Sequence, residues 1–182
     1  MSEMREAPVN IVLEGFMGVG KTTIGKKLAE LLGCRFIDTD DEVRRAAGKS
    51  IHDMLADGEL ALVRAWENRV CKALSSVSRA VIATGGGVFT VPENACLLRR
   101  RGFVVCLERD FDIVYPLISA DPVRVMAYGK PYDELKRLLD SRVPLYERNA
   151  DMVIQAENAE ETAHRIAEAC RGANPQIFGK GV

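Results

Sequence analysis

Residues 15–22 read Gly15-Phe16-Met17-Gly18-Val19-Gly20-Lys21-Thr22, and this stretch decides the fold. It satisfies G-x-x-x-x-G-K-[ST] at every fixed position. The flanks agree with the motif. A β-branched run over residues 9–13 reads as a buried strand, and Ile24, Leu28, Leu31 and Leu32 recur at helical spacing until Gly33 closes the helix. Strand, glycine-rich turn and helix in that order make a phosphate-binding loop. Backbone N–H groups of Gly15, Gly18, Val19 and Gly20 curl around phosphate oxygens, and the positive end of the helix dipole adds to the attraction. Lys21 is expected to reach the β- and γ-phosphates and the Thr22 hydroxyl to bind Mg²⁺, with Thr23 completing the nucleotide-binding run. A dinucleotide-binding turn would need glycine at position 23, which is Thr. The stretch predicts an ATP or GTP phosphate site.

Outward from the loop, further strands are expected over residues 35–37, 80–83, 103–107 and 152–154. Helices are expected over 42–47, most of 51–74, 92–100, 111–118, 132–147 and 159–170. Apolar strands alternating with helices predict an α/β fold, a parallel sheet covered by helices on both faces. Residues 1–171 form one domain in this reading. Residues 119–131 lack periodicity and are the candidate mobile lid, because a kinase must keep water from the γ-phosphate. Residues 172–182 carry Gly, Pro and Asn without periodicity, so a disordered tail is expected there.

With 182 residues, 47% of them hydrophobic, the chain can bury a core without a disulfide or metal staple. Lys and Arg number 25 against 26 Asp and Glu, a net charge of -1, which speaks against a nucleic-acid partner or a polybasic membrane module. No apolar run approaches the roughly 20 residues of a membrane span, and the polar start is no signal peptide. The five cysteines, 34, 71, 96, 106 and 170, form no C-x-x-C pair, and His52 and His164 are too few for a zinc site. They read as small buried hydrophobes in a reducing cytoplasm.

Two further stretches face the same edge of the predicted sheet. Asp38 and Asp40 follow the second strand, at the carboxyl ends where open α/β sheets bind ligands. Strand alternation would send both side chains one way, one carboxylate toward Mg²⁺ and the other toward an acceptor hydroxyl. Helix capping is the competing role, which Asp41 can fill equally well. Thr84-Gly85-Gly86-Gly87 ends the third strand, exposing backbone N–H groups to a ligand.

The order of Gly-x-x-x-x-Gly-Lys-Thr, Asp-Thr-Asp, Gly-Lys-Ser-Ile, an Arg-x-x-Glu helix, Gly-Gly-Gly, an arginine in an irregular segment and Arg-x-Pro-Leu-Tyr resembles the shikimate kinase family over about residues 10–169. The resemblance implies a phosphate-loop fold with five parallel strands and a lid. It also implies MgATP-dependent phosphorylation of the shikimate 3-hydroxyl, in aromatic amino-acid biosynthesis. By position, Lys21 and Thr22 match the nucleotide and metal residues, Asp38 the carboxylate near Mg²⁺, and Asp40 the acceptor-binding base. Arg64 and Arg142 match the arginines that hold the shikimate carboxylate, Gly85, Gly86 and Gly87 the substrate-contacting glycines, and Arg124 the lid arginine. Two guanidinium forks suit a carboxylate, and a third in a lid stabilises charge in transfer.

The chain departs from the family pattern in four places. Val63 stands where Phe usually does, Val125-Met126-Ala127 follows Arg124 in place of Pro-Leu-Leu, Gly58-Glu59 lies one residue early, and residues 114–118 lack an arginine that stacks on adenine. Two other functions are compatible with the loop: a kinase for a sugar acid, gluconate-kinase-like, and a nucleotide-binding regulatory domain without turnover. The residues are expected to work in a monomer, with Lys21, Arg64, Arg124 and Arg142 gathered opposite Asp38 and Asp40.

Overall fold

The structure, a computed structural model, describes residues 6–178. Five strands, β1 (Asn10–Glu14), β2 (Arg35–Asp38), β3 (Ala80–Ala83), β4 (Gly102–Glu108) and β5 (Met152–Gln155), form one parallel sheet in the order β2-β3-β1-β4-β5. Strands β1 and β3 are buried along their whole length, as the continuous apolar pattern requires of strands covered on both faces. Register pairs Leu13 with Ala83 and with Val105, so the carboxyl ends of β1, β3 and β4 finish near one another. That shared edge carries the loops of interest.

The helices are α1 (Lys21–Leu32), α2 (Thr39–Ala47), α3 (Ile51–Ala56), α4 (Leu60–Leu74), α5 (Pro92–Arg99), α6 (Phe111–Ser119), α7 (Tyr132–Asn149), α8 (Ala159–Ala173) and α9 (Pro175–Phe178), with a 3-10 turn at Val88–Thr90. Helix α1 packs on α8 and on β3, while α4 packs on α2 and α5. Leu28 of α1 is fully buried, and truncating it to Ala would cost about 2–5 kcal/mol through lost transfer energy and a cavity.

Three expectations change. Residues 51–74 are two helices, because Gly58 takes a left-handed φ of 77° and turns the chain between α3 and α4. Helix α2 begins at Thr39, not residue 42, since the Asp38 carboxylate caps it by accepting from the Asp40 N–H. Asp40 therefore lies on a helix turn, and strand alternation is not what aims it. The expected disorder from Gly172 does not hold for residues 172–178: α8 continues through Ala173, and Phe178 of α9 is buried in the core. Residues 179–182 of that tail lie outside the described residues.

Candidate active site

The phosphate loop is fixed by a backbone contact. Gly15, with φ 132°, lies against the Leu107 carbonyl so closely that any Cβ would collide with that oxygen. Gly20 caps α1 in a left-handed conformation, which starts the helix directly at Lys21. Lys21 turns its ammonium back to donate to the carbonyl oxygens of Gly15 and Phe16, both at 2.7 Å. Burial pushes its pKa down to about 8, with Asp40 and Asp38 opposing. Val19 contributes its backbone to the loop while its side chain is buried in the core, and Thr23 is exposed on the first turn of α1.

Thr22 Oγ1 donates to Asp38 Oδ2 at 2.9 Å, tying the start of α1 to the end of β2. The same carboxylate accepts the Asp40 N–H at 3.0 Å through its other oxygen, so capping and site-building are one role for Asp38. A hydroxyl and a carboxylate that already face each other are hard oxygen donors of the kind Mg²⁺ takes alongside nucleotide phosphates. Among the described residues no group of three His, Cys, Asp or Glu side chains could hold a metal alone. Thr22 and Asp38 therefore fit Mg²⁺ shared with a nucleotide, rather than an all-protein cage.

Asp40 opens into a cavity of about 550 Å³ that also receives Thr22, Asp38, Arg64, Gly85 to Gly87, Arg124 and Arg142. Desolvation by the surrounding protein, reinforced by the charges of Asp38 and Glu67, raises its pKa to about 6. The glycine turn is locked to it. Thr39 Oγ1 accepts the Gly85 N–H at 2.8 Å, and a Cβ on Gly85 would strike the Asp40 carboxylate. Gly87 is crowded in the same way by the Arg64 guanidinium. Only an unsubstituted turn lets both charged groups approach.

Arg64 Nη1 donates to Glu67 Oε2 at 2.6 Å, one helical turn along α4. Burial raises the Glu67 carboxyl while Arg64 holds it down. Arg142 Nη1 donates to the Gly86 carbonyl at 3.2 Å, and its guanidinium stands 5.9 Å over the Phe16 ring. Tyr146, one turn further along α7, donates its hydroxyl to the same carbonyl at 2.6 Å. Arg124 Nε donates to Asp121 Oδ2 at 3.1 Å, three residues back. The arginines expected from sequence do gather here, but Arg64 and Arg124 each arrive with a carboxylate partner. The site is less positive than a count of its cations suggests.

Sequence reasoning does not single out Asp121 or His52 for the site, and it reaches Thr39, Glu67 and Tyr146 only as members of patterns. The Arg-x-x-Glu and Asp-x-x-Arg spacings at 64–67 and 121–124 are signals for an i, i+3 pair; nothing in the sequence points to His52. Glu14 is also unannounced. It is the last residue of β1, wholly buried, and neither carboxyl oxygen has a hydrogen-bond partner. Burial pushes its pKa up to about 9, against the pull of Lys21 and Arg99. A neutral carboxyl at this position adds no negative charge to the root of the phosphate loop.

A family model described as shikimate kinase matches residues 17–171. The shikimate kinase of Trichormus variabilis is 39% identical over 171 residues, covering 93% of each chain. That of Caldanaerobacter subterraneus is 38% identical over 172 residues, covering 94% of this chain and 99% of the relative. A solved shikimate kinase from Acinetobacter baumannii, in complex with shikimate, superposes with a TM-score of 0.85 at 34% identity, covering 93% of this chain and 96% of its own. The loop, the paired aspartates and the glycine turn thus sit in a chain that matches these enzymes almost end to end, and it belongs to the shikimate kinase family.

Proposed function

We propose that the protein transfers the γ-phosphoryl group of ATP to the 3-hydroxyl of shikimate, giving shikimate 3-phosphate and ADP. The observation that carries the reading is the cavity joining Asp40 to Arg64 and Arg142 around one glycine turn. It offers a base at one end and two guanidinium forks for a carboxylate at the other. The backbone of Gly15, Gly18, Val19 and Gly20, with Lys21, Thr22 and Thr23, would hold the triphosphate. Thr22 and Asp38 would hold Mg²⁺, whose chemistry is to neutralise charge on the β- and γ-phosphates.

Asp40 accepts the hydroxyl proton as the new O–P bond forms and the bond to ADP breaks. A pKa near 6 suits a general base, since the group is ionised at neutral pH yet more basic than an ordinary carboxylate. Lys21 exchanges its contacts to the Gly15 and Phe16 carbonyls for phosphate oxygens. Residues 119–131 serve as the lid, bringing Arg124 over the transferred group. The relatives favour neither a sugar-acid acceptor nor a domain without turnover. The reading takes the enzyme as a monomer in a reducing cytoplasm, which five cysteines free of disulfides suit. Purified protein with MgATP should release ADP in a shikimate-dependent manner, measured by coupled detection across a panel of sugar acids and cyclitols. ADP release no faster with shikimate than without it would overturn the reading.

A further inference from the structure

The lid is tied down across the mouth of the cavity. His52, on the first turn of α3, places Nδ1 3.0 Å from the carbonyl oxygen of Val123, the residue before Arg124. A carbonyl only accepts, so the imidazole donates, which it does from the neutral Nδ1–H tautomer and from the imidazolium alike. The donor sits on a stiff base. Ser50 Oγ accepts the Asp53 N–H at 3.0 Å and donates to Asp53 Oδ2 at 2.6 Å, closing a cap around the turn that carries His52.

The lid's internal bonds do a different job. Asp121 accepts from the Val123 N–H at 3.0 Å and from Arg124 Nε at 3.1 Å, which shapes the turn but moves with it. At the far end, the Gly129 N–H donates to the Ser119 carbonyl, and Ala127 is buried in the core. Fixing Arg124 relative to the acceptor needs a bond from the lid to the opposite wall, and His52 makes one.

We propose that His52 is a positioning residue for phosphoryl transfer, its Nδ1–H on the capped turn of α3 holding the Val123 carbonyl so that Arg124 faces the acceptor cavity. The proposal rests on the kinase reading through the role of Arg124. His52 touches neither phosphate nor acceptor in this account; it acts through the lid.

Two measurements on His52→Ala, His52→Phe and His52→Asn test it. The first is the rate at which trypsin cuts Arg124–Val125, the tryptic bond of the lid, since Lys130 is shielded by Pro131. When closing outpaces cleavage, this rate follows the open population. Loss of one hydrogen bond should raise it about two- to tenfold in the Ala and Phe variants, while Asn, with an amide donor of similar reach, stays close to wild type. The second is turnover: kcat should fall in Ala and Phe, by less than the cleavage rate rises because it follows the closed population, with the KM for ATP unchanged; ADP should exceed phosphorylated acceptor, and Asn should restore both. Wild-type cleavage and kcat in the Phe variant would overturn the proposal, as would an Asn variant as defective as Ala. If the wild type itself fails on shikimate, the functional reading falls and the cleavage rates still decide the tie.

Discussion

The floor of the site and its proposed lid are built by opposite means. On the floor, backbone does the positioning: Gly15 lies against the Leu107 carbonyl, Gly85 and Gly87 let charged groups touch the turn, and Thr39 pins Gly85. These constraints come from the ends of paired strands, so they hold whether or not a ligand is present. Over residues 120–131 there is no strand or helix, and Arg124 is placed by the side chains of Asp121 and His52. Floor changes should therefore alter chemistry or stability strongly, and lid changes should act mildly and through populations of open and closed states.

Asp40→Asn is the severest test of the floor. Removing the proposed base should lower kcat about 10²–10⁴-fold in a steady-state assay while nucleotide binding, followed by titration calorimetry, persists. Its pKa, raised from 3.8 to about 6, means that the folded chain binds the extra proton over that window, so stability falls as pH rises through it. The Asn variant should accordingly be more stable at pH 7, by about 1 kcal/mol once solvent in the cavity has eased the desolvation and screened the repulsion. In the wild type, kcat/KM should rise with pH through about 6 as Asp40 ionises and fall through about 8 as Lys21 loses its proton. A flat profile between pH 5 and 9 would remove the floor's electrostatic distinction.

Glu14→Met comes next. The folded chain holds Glu14 protonated up to about pH 9, whereas the unfolded chain releases that proton near 4.5. Stability must then fall across this interval, reaching roughly 3 kcal/mol of lost stability by pH 7 at about 1.4 kcal/mol per pH unit. The apolar variant should abolish that slope in denaturant titrations run from pH 5 to 9 and gain most of the deficit at neutrality. Unchanged stability would mean that the buried carboxyl has found a partner.

Arg142→Lys should raise the KM for shikimate about tenfold with a smaller change in kcat, because a point charge replaces a planar fork held by Gly86 and Phe16. The smallest effect belongs to the lid. Asp121→Asn keeps a side-chain acceptor for the Val123 N–H but removes the charge that orients Arg124, and kcat should drop about two- to fivefold, with ATP KM unaffected. A drop as deep as that of Asp40→Asn would erase the contrast between floor and lid.

The same division explains how much of the molecule is legible in its sequence. Helix α1 falls at Lys21–Leu32 and β3 at Ala80–Ala83, as their flanking glycines and apolar runs require. The start of α2 lies three residues before the expected one because its first turn depends on the Asp38 carboxylate, which also reaches Thr22 sixteen residues away. Phe178 falls in a stretch that reads as a tail because a four-residue helix has too few positions to show a period; burial against the core is what orders it.

From sequence alone come the phosphate loop, the parallel sheet, and the residue types that meet at its edge. These rest on local rules: backbone conformation at glycine, side-chain period in strand and helix, and the fixed chemistry of lysine, aspartate and arginine. Folding supplies the rest. It sets the charge each group carries, since Glu14 is neutral by burial and Arg64 is matched by Glu67, and it brings His52 to Val123 from 71 residues away. Charge state and long-range contact depend on which atoms surround a group in space, and no spacing along the chain encodes that.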